Sequence, residues 1–262
     1  MILALDNAHG AYLRFLPQDR HPISLGADIC CDSAHKTLPV LTGGAYLHIA
    51  NNAPEIFTDE AKNALALFGS TSPSYLILQS LDRCNPYLEG LQGRLSALIP
   101  TINELKKRLT DHGYVLAGDE ELKITILTKP YGYKGTDFAE ICEKRGLYLE
   151  FSDPDHAVLM LTDENRGDLC EISDILLSIP RKKEITECPP FLTRAVSAMS
   201  IRRATLSPSE TVLSKDSVGR IASALTVSCP PAVPVVVSGE VITSDIVSAL
   251  EYYGIEKISV VK

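Results

Sequence analysis

The sequence predicts an α/β fold, in which short strands alternate with longer helices. Two apolar runs, at residues 1–5 and about 26–31, have the length and composition of buried strands. Between about 73 and 112 the apolar residues recur with helical spacing, and residues 122–178 follow the order strand, helix, strand, strand, helix. This alternation favours a mainly parallel sheet covered by helices, followed by smaller mixed domains.

The first half contains a third predicted strand and a long helical region. Residues 45–49 have strand character and follow a turn made by two glycines. The helical spacing from Pro73 to about His112 includes two internal prolines. We predict helix breaks near Pro86 and Pro100, because proline lacks the amide donor that a helix interior needs.

The second half predicts a compact α+β domain and then a further α/β domain. The elements expected in the compact domain are a strand at 122–127, a helix at 135–145, paired strands at 147–151 and 157–161, and a helix at 165–178. A proline-rich and charged linker follows at about 180–190. Beyond it, residues 235–237 predict a buried strand and residues 243–253 a helix. The predicted domains are therefore 1–112, 113–182 and 190–262.

The most informative stretch of the chain contains Ser33, His35 and Lys36, at the end of an apolar run. Lysine is the side chain that forms Schiff bases, and a lysine at a strand-end loop can be held against a cofactor. Taken alone, the same residues also suit an ordinary solvated loop lysine.

Asp6 ends the first predicted strand. Ligands of open α/β sheets bind at the carboxyl ends of strands, where an aspartate can hold the protonated ring nitrogen of a pyridine cofactor. The residues alone leave open whether Asp6 has this role or caps the turn that follows.

A hydroxyl-rich stretch at residues 69–75 precedes the long helical region. Thr71 and Ser72, with neighbouring backbone N–H groups, can cradle a phosphate where a helix begins. The same pattern suits an N-cap with proline in the first turn, so the residues alone do not decide.

Three motifs follow one another in the first hundred residues. They are Asp6-Asn7-Ala8-His9-Gly10, Ser33-Ala34-His35-Lys36-Thr37-Leu38-Pro39 and Thr71-Ser72-Pro73-Ser74-Tyr75. In this order and spacing they resemble the Orn/Lys/Arg decarboxylases, enzymes of the aspartate-aminotransferase fold (fold type I) that use pyridoxal 5'-phosphate. The resemblance implies part of a fold-type-I large domain, followed by a small α+β domain and a C-terminal α/β domain.

The resemblance also implies a role for each motif residue. Lys36 would form the Schiff base with the cofactor, and Asp6 would pair with its ring nitrogen. Protonated Lys36 or His35 would return a proton to the substrate's α-carbon. The other cofactor-binding residues that it implies are Ala8 against the ring, His9 near its edge, Ser33 and His35 at the phosphate, and Thr71 and Ser72 at the phosphate of a neighbouring subunit.

The activity implied is decarboxylation of a basic amino acid, lysine, ornithine or arginine, to the amine and carbon dioxide. Which bond breaks depends on which one stands perpendicular to the cofactor ring, and the sequence does not show this. An aminotransferase-like reaction is therefore the chemical neighbour. A non-catalytic fragment or partner subunit is the alternative from another class.

The C-terminal region resembles the same family with two departures. Where the family has a glutamate after Gly-Arg-Ile, this chain has Ala224, and where the family has Pro-Tyr-Pro-Pro-Gly it has Ser-Cys-Pro-Pro-Ala at residues 228–232. A charge and an aromatic ring are thus absent from an expected cleft wall. The substrate need not be the family's usual basic amino acid.

The chain begins directly at the Asp6 strand, without the earlier strands that the resemblance implies. We expect either a homodimer with a shared active site or a partner that supplies the N-terminal half of the large domain. The isolated chain is accordingly expected to bind the cofactor weakly or not at all.

Composition restricts the partners and the compartment. A net charge of −8 over 262 residues argues against nucleic acid or an anionic membrane as the main partner. No apolar run reaches bilayer length and the start lacks a signal-peptide pattern, so we expect a cytoplasmic protein. The seven scattered cysteines lack a Cys-x-x-Cys pair, which predicts neither a disulfide framework nor a metal site.

Overall fold

The computed structural model describes residues 1–224 and 234–262. They form two compact units, one of Met1–Lys107 with Leu161–Glu171 and one of Arg108–Met160 with Ile172–Lys262. Both units mix strands and helices, which confirms the predicted α/β class. The three domain boundaries stay a prediction, and the departure at residues 228–232 lies outside the described residues.

The first unit is built on a three-stranded sheet. Its strands are β1 (Ala4–Asp6), β2 (Ile29–Asp32) and β3 (Tyr46–Ile49), in the order β1-β2-β3. β1 and β2 are parallel and place Asp6 opposite Cys31. β2 and β3 are antiparallel and place Cys30 opposite His48.

The strand at residues 1–5 was predicted to be buried, and this is wrong. β1 begins only at Ala4, and Ile2 and Leu3 are 59% and 45% exposed. The reason is the strand order, which leaves β1 at one edge of the described sheet. An apolar run alone does not show whether a neighbouring strand covers it.

The helices of the first unit follow its strands along the chain. They are α1 (Ala34–Thr37), α2 (Glu55–Phe68), α3 (Tyr75–Leu88) and α4 (Leu91–His112), the last crossing into the second unit. α2 was not predicted. The predicted break at Pro100 is wrong, because α4 continues through it between the buried Leu98 and Ile102. The break predicted near Pro86 is confirmed, because α3 ends two residues later, at Leu88. The chain then turns at Gly90, whose φ of +74° is costly for any other residue.

The second unit contains an antiparallel four-stranded sheet. Its strands are β4 (Val115–Ala117), β5 (Lys123–Leu127), β6 (Phe151–Ser152) and β7 (His156–Met160), in the order β4-β5-β7-β6. Alternate residues of β5 and β7 are buried, as period-two patterning requires. The predicted hairpin is present, although its first strand is shorter than residues 147–151. The associated helices are α5 (Gly135–Glu143) and α6 (Leu169–Leu177), and α6 begins in the first unit.

The C-terminal part of the second unit has its own hydrophobic core. Its elements are α7 (Ile201–Leu206), β8 (Ser209–Leu213), α8 (Ser244–Tyr252) and β9 (Lys257–Val261), with β8 and β9 antiparallel. The buried strand predicted at residues 235–237 is wrong. Val236 is buried in this core, but the N–H of Val237 donates to the Glu240 carboxylate and not to a neighbouring strand.

Within the described ranges, no helix has both the length and the apolar composition that crossing a membrane requires.

Candidate active site

The first two sequence motifs meet where the parallel strands β1 and β2 end, which is the carboxyl edge of the β1-β2-β3 sheet. Asp6 is the last residue of β1, and Ser33 follows β2 directly. Because the two strands are parallel and Asp6 lies opposite Cys31, the segments that follow β1 and β2 both leave the sheet at this carboxyl edge. Cys31 is exposed, but partial desolvation raises the pKa of its thiol, and the nearby Asp6 carboxylate adds to the effect.

Lys36 extends from α1 toward the turn that follows β1. Its Nζ lies 3.2 Å from Nε2 of His9, and both side chains are half-buried. An imidazole nitrogen at this distance can accept a hydrogen bond from the lysine. The structure therefore brings together Lys36 and one of the residues predicted to lie beside the cofactor.

His35 is fixed by the glycine pair that precedes β3. Its Nδ1 lies 3.0 Å from the carbonyl oxygen of Gly44, and its backbone N–H donates to the same oxygen. Because a carbonyl only accepts, Nδ1 carries the proton. Nε2 is then the nitrogen left to meet a ligand, and it donates to an anion only when the ring is doubly protonated.

Ser33 occupies the N-cap of α1, but its hydroxyl makes no capping bond to the described backbone of that turn. Thr71 and Ser72 lie on the exposed loop between α2 and α3, where the N–H of Ser72 donates to Ser70. Ala8, half-buried, lies in the same turn as His9. The roles predicted for these residues stay predictions.

The donor set at this edge fits a phosphorylated pyridine aldehyde. Lys36 supplies an amine, and Asp6 supplies a carboxylate at the end of the adjacent strand. The Ser33 hydroxyl is not used for capping, so it can donate to a phosphate. These are the three kinds of group that such a cofactor requires: a carbonyl partner, a partner for the ring nitrogen and a phosphate ligand.

A second feature beside this edge was not predicted from the sequence. The carboxylate of Asp32, only 2% exposed, accepts hydrogen bonds from three segments of the first unit. Asn7 Nδ2 lies 2.8 Å from Oδ1, whereas His21 Nε2 and His48 Nε2 lie 2.9 and 3.1 Å from Oδ2. The thiol of Cys30 also lies 3.4 Å from Oδ1. We call these five residues the Asp32 network.

The donors of this network keep Asp32 ionised. Burial by itself raises the pKa of the carboxyl group, but the hydrogen bonds from His48, Asn7 and His21 outweigh it and lower the pKa to about 2. Asp32 is therefore a charged, hydrogen-bonded group inside the unit at neutral pH. Its negative charge also helps burial to raise the pKa of the Cys30 thiol to about 12.

The Asp32 network resembles a metal site in composition but not in hydrogen bonding. His21, Cys30 and Asp32 bring three potential ligand atoms within 4.8 Å of one another. However, the backbone N–H of Ile23 donates to His21 Nδ1 at 3.3 Å. Nε2 must then carry the ring proton, which it donates to Asp32, and in that form it has no lone pair for a cation.

The network opens onto a cavity of about 630 Å³ within the first unit. His21, Asp32 and His48 contribute polar atoms to its wall, and Phe15, Leu38 and Leu88 contribute apolar surface. A sequence signal for the network did exist. Cys30 and Asp32 are two residues apart in β2, so their side chains lie on the same face of the strand. The strand at 26–31 was predicted to end before Asp32, so this pairing was missed.

Comparison with known proteins gives one family. A family model described as Orn/Lys/Arg decarboxylase, major domain, matches residues 1–162. The chain is 31% identical to a Bacillus subtilis protein called uncharacterized protein YaaO and 27% identical to an arginine decarboxylase of the same organism. The matches cover 94% and 93% of this chain and 54% of each relative. The chain thus spans about half the length of these curated relatives.

A solved structure has the same fold. The Francisella novicida lysine decarboxylase LdcF superposes with a TM-score of 0.76 at 16% sequence identity. The match covers 99% of this chain and 53% of that one. At this identity the likeness concerns the fold.

Proposed function

The chain belongs to the Orn/Lys/Arg decarboxylase family, and we propose that it takes part in the decarboxylation of a basic amino acid. We propose Lys36 as the lysine that binds the cofactor. The observation that carries this proposal is the 3.2 Å contact between Lys36 Nζ and His9 Nε2, at the strand edge that Asp6 also reaches. Lysine, ornithine and arginine are the proposed substrates.

The proposed cofactor is pyridoxal 5'-phosphate. When bound, it withdraws electrons from the α-carbon of an amino acid joined to its aldehyde carbon. Lys36 would hold that carbon, Asp6 the ring nitrogen, and Ser33 and His35 the phosphate. Ala8 would pack against the ring and His9 would lie near its edge.

The protein's own groups then have simple tasks. Asp6, negatively charged, keeps a proton on a ring nitrogen that faces it. His9 accepts a hydrogen bond from Lys36 and so fixes the direction of the amine. After the carboxylate leaves, protonated Lys36 or His35 can donate a proton to the α-carbon.

The proposed assembly is a homodimer in which Thr71 and Ser72 reach the phosphate of the other subunit. α2 supports this proposal, because none of its fourteen residues is buried although eight of them are apolar. Leu67 and Phe68 at its end are 78% and 92% exposed, directly before the loop that carries Thr71. Such a surface is typical of a protein interface.

A partner chain that adds a strand to β1 is the other proposed assembly. β1 is an edge strand of the described sheet, and the exposed Ile2 and Leu3 precede it. An open apolar strand edge readily pairs with another strand. Such a partner would also supply a further wall for the site.

A trapping experiment tests the cofactor proposal. The purified chain is incubated with pyridoxal 5'-phosphate and borohydride, and the reduced adducts are located by peptide mapping. Because the isolated chain is expected to bind the cofactor weakly, a high cofactor concentration is used. Under these conditions we expect the adduct at Lys36 to exceed that at the exposed Lys62, and Lys36→Ala to remove it without changing the label at Lys62. Equal labelling of Lys36 and Lys62 in a folded chain would contradict the proposed role of Lys36.

A second measurement separates the candidate reactions. Lysine, ornithine and arginine with a labelled carboxyl group are supplied in turn, and the released carbon dioxide, amine and keto acid are quantified. Carbon dioxide and amine support decarboxylation, whereas keto acid supports an aminotransferase-like reaction. Ala224 favours the non-catalytic alternative, because an alanine stands where a charged glutamate is expected. An adduct at Lys36 without product from any of the three substrates would support that alternative.

A further inference from the structure

We propose that Asp32 is a positioning residue for Lys36: its carboxylate, acting through Asn7, holds the turn that places His9 against the lysine amine. The inference rests on the proposed role of Lys36 as the cofactor lysine. It adds Asn7 and Asp32, which the family resemblance did not single out, to the residues on which the site depends.

A side-chain hydrogen bond joins the ends of the two strands. Asp32 is the last residue of β2, and Asn7 directly follows β1. Asn7 Nδ2 donates to Asp32 Oδ1 at 2.8 Å, and the backbone N–H of Asn7 donates to the carbonyl of Cys31 at the same distance. Two hydrogen bonds therefore fix Asn7 on β2 where β1 stops.

Asn7 also begins a tight turn that ends at Gly10. The N–H of Gly10 donates to the Asn7 carbonyl at 2.9 Å and closes the turn. The Asn7 amide fills the space above Gly10 so closely that a Cβ there would lie 1.9 Å from Oδ1 of Asn7. The position of the amide and the shape of the turn are thus coupled.

The contact between His9 and Lys36 depends on this turn and on α1. His9 lies inside this turn, and Lys36 lies on α1, four residues after Asp32. The backbone N–H of Lys36 donates to the Ser33 carbonyl, so α1 follows β2 without a flexible link. Asp32 therefore holds both partners of the 3.2 Å contact. It holds His9 through Asn7, and it holds Lys36 through the backbone that leads from β2 into α1.

The histidines explain why a carboxylate is suited to this position. His21 and His48 both donate to Oδ2, which directs the other oxygen, Oδ1, toward Asn7. An asparagine at position 32 can keep its carbonyl oxygen on the histidines and turn its NH2 group toward residue 7. An aspartate at position 7 would then accept that hydrogen bond. Exchanging the two side chains preserves the contact with its direction reversed.

This exchange defines the experiment. Asn7→Asp alone replaces a donor and acceptor pair by two facing carboxylates, and we expect it to break the turn. Asn7→Asp combined with Asp32→Asn should restore it. The first readout is the ¹⁵N resonance of the His9 ring, assigned with His9→Gln, in chain without cofactor. In Asn7→Asp this ¹⁵N resonance should shift in the same direction as in Lys36→Met. In the double variant it should return to the wild-type position.

The second readout is the borohydride-trapped adduct at Lys36. We expect about a tenfold loss in Asn7→Asp, as for an unmade hydrogen bond to a charged group, and recovery in the double variant. Asp28→Asn is the matched control, because Asp28 also bonds across from the β2 segment to a residue near β1, the N–H of Leu3, but away from Asn7. It should leave both readouts unchanged.

The outcomes separate the two proposals. A double variant that is folded by circular dichroism, yet no closer to the wild type than Asn7→Asp, would overturn the positioning role. A His9 signal that follows the exchange, while Lys36 of the wild type is labelled no more than Lys62 at high cofactor concentration, would support positioning and count against the proposed function. An adduct at Lys36 that forms equally in the wild type, in Asn7→Asp and in the double variant would leave the function standing and refute the inference.

Discussion

Nε2 of His21 lies 2.9 Å from Oδ2 of Asp32, and both side chains are buried in the first unit. His21 belongs to the segment between β1 and β2, eleven residues before Asp32. The bond joins that segment to the end of β2, beside the candidate cofactor lysine. A buried carboxylate with such donors stabilises the fold only while it stays ionised.

Acid should therefore weaken the first unit through Asp32. Its pKa falls from the usual 3.8 to about 2 in the folded chain, so the ionised form adds about 2 kcal/mol of stability. This contribution is complete above pH 4 and disappears as the pH falls toward 2. Urea unfolding at several pH values measures it. Asp32→Asn should be less stable than the wild type at pH 5, and the difference should shrink on acidification; a constant difference would contradict this.

Gly10→Ala should act on the same turn as Asn7→Ala. The new Cβ would occupy the place of the Asn7 amide and push it from Asp32. We expect each variant to reduce the trapped adduct at Lys36 by a similar factor, and the combination to add little, because both break one contact. Gly167→Ala is the control, since its Cβ meets nothing within 4 Å. Effects that multiply in the combination would show two independent causes.

Gly135→Ala should destabilise the second unit at the start of α5. A Cβ at this position would lie 2.1 Å from the carbonyl oxygen of His156 and 2.2 Å from that of Asp153. Backbone atoms cannot move aside as a side chain can, so we expect a cost of about 1–3 kcal/mol or more in urea unfolding. Gly93→Ala, in an open position inside α4, should instead stabilise by about 0.5–1 kcal/mol. Equal effects of the two substitutions would argue against this explanation.

The buried ion pair between Lys129 and Asp155 should be costly to break from one side. Lys129 Nζ lies 2.8 Å from Asp155 Oδ1 and also donates to the Glu187 carbonyl and to the hydroxyl of Tyr252. Asp155→Ala leaves a buried ammonium without its counter-charge, and we expect a loss of about 3–5 kcal/mol. Adding Lys129→Met should recover part of it. If the double variant is as unstable as the sum of the two single variants, the pair is not coupled.

The exposed end of α2 should control self-association. Phe68→Asp places a charge at a side chain that is 92% exposed, so folding should be unaffected while a homodimer dissociates. Sedimentation velocity measures the change in mass. Tyr148→Asp, at an exposed aromatic residue of the second unit, is the control and should leave the mass unchanged. A dimer that survives Phe68→Asp would place the interface elsewhere.

Local patterns predicted most of the second unit but less of the first. Alternating burial in β5 and β7 matches the predicted strands, because period-two patterning depends on each strand alone. α2 was missed although Phe57, Ala61, Leu65 and Phe68 recur at helical spacing in the sequence. The structure adds that none of its residues is buried in the described chain. β1 was predicted correctly as a strand but wrongly as buried, because burial depends on neighbours that the sequence of one strand does not reveal.

The sequence by itself determined which side chains can do chemistry here: Lys36 after one strand, Asp6 at the end of another, and His9 in the turn between. Only the tertiary structure decided that Lys36 meets His9 and that Asp32 binds Asn7, His21 and His48. The reason is physical. Motif spacing reports what neighbours in the chain can do, whereas a buried carboxylate must collect its donors from whichever segments the sheet register brings to it.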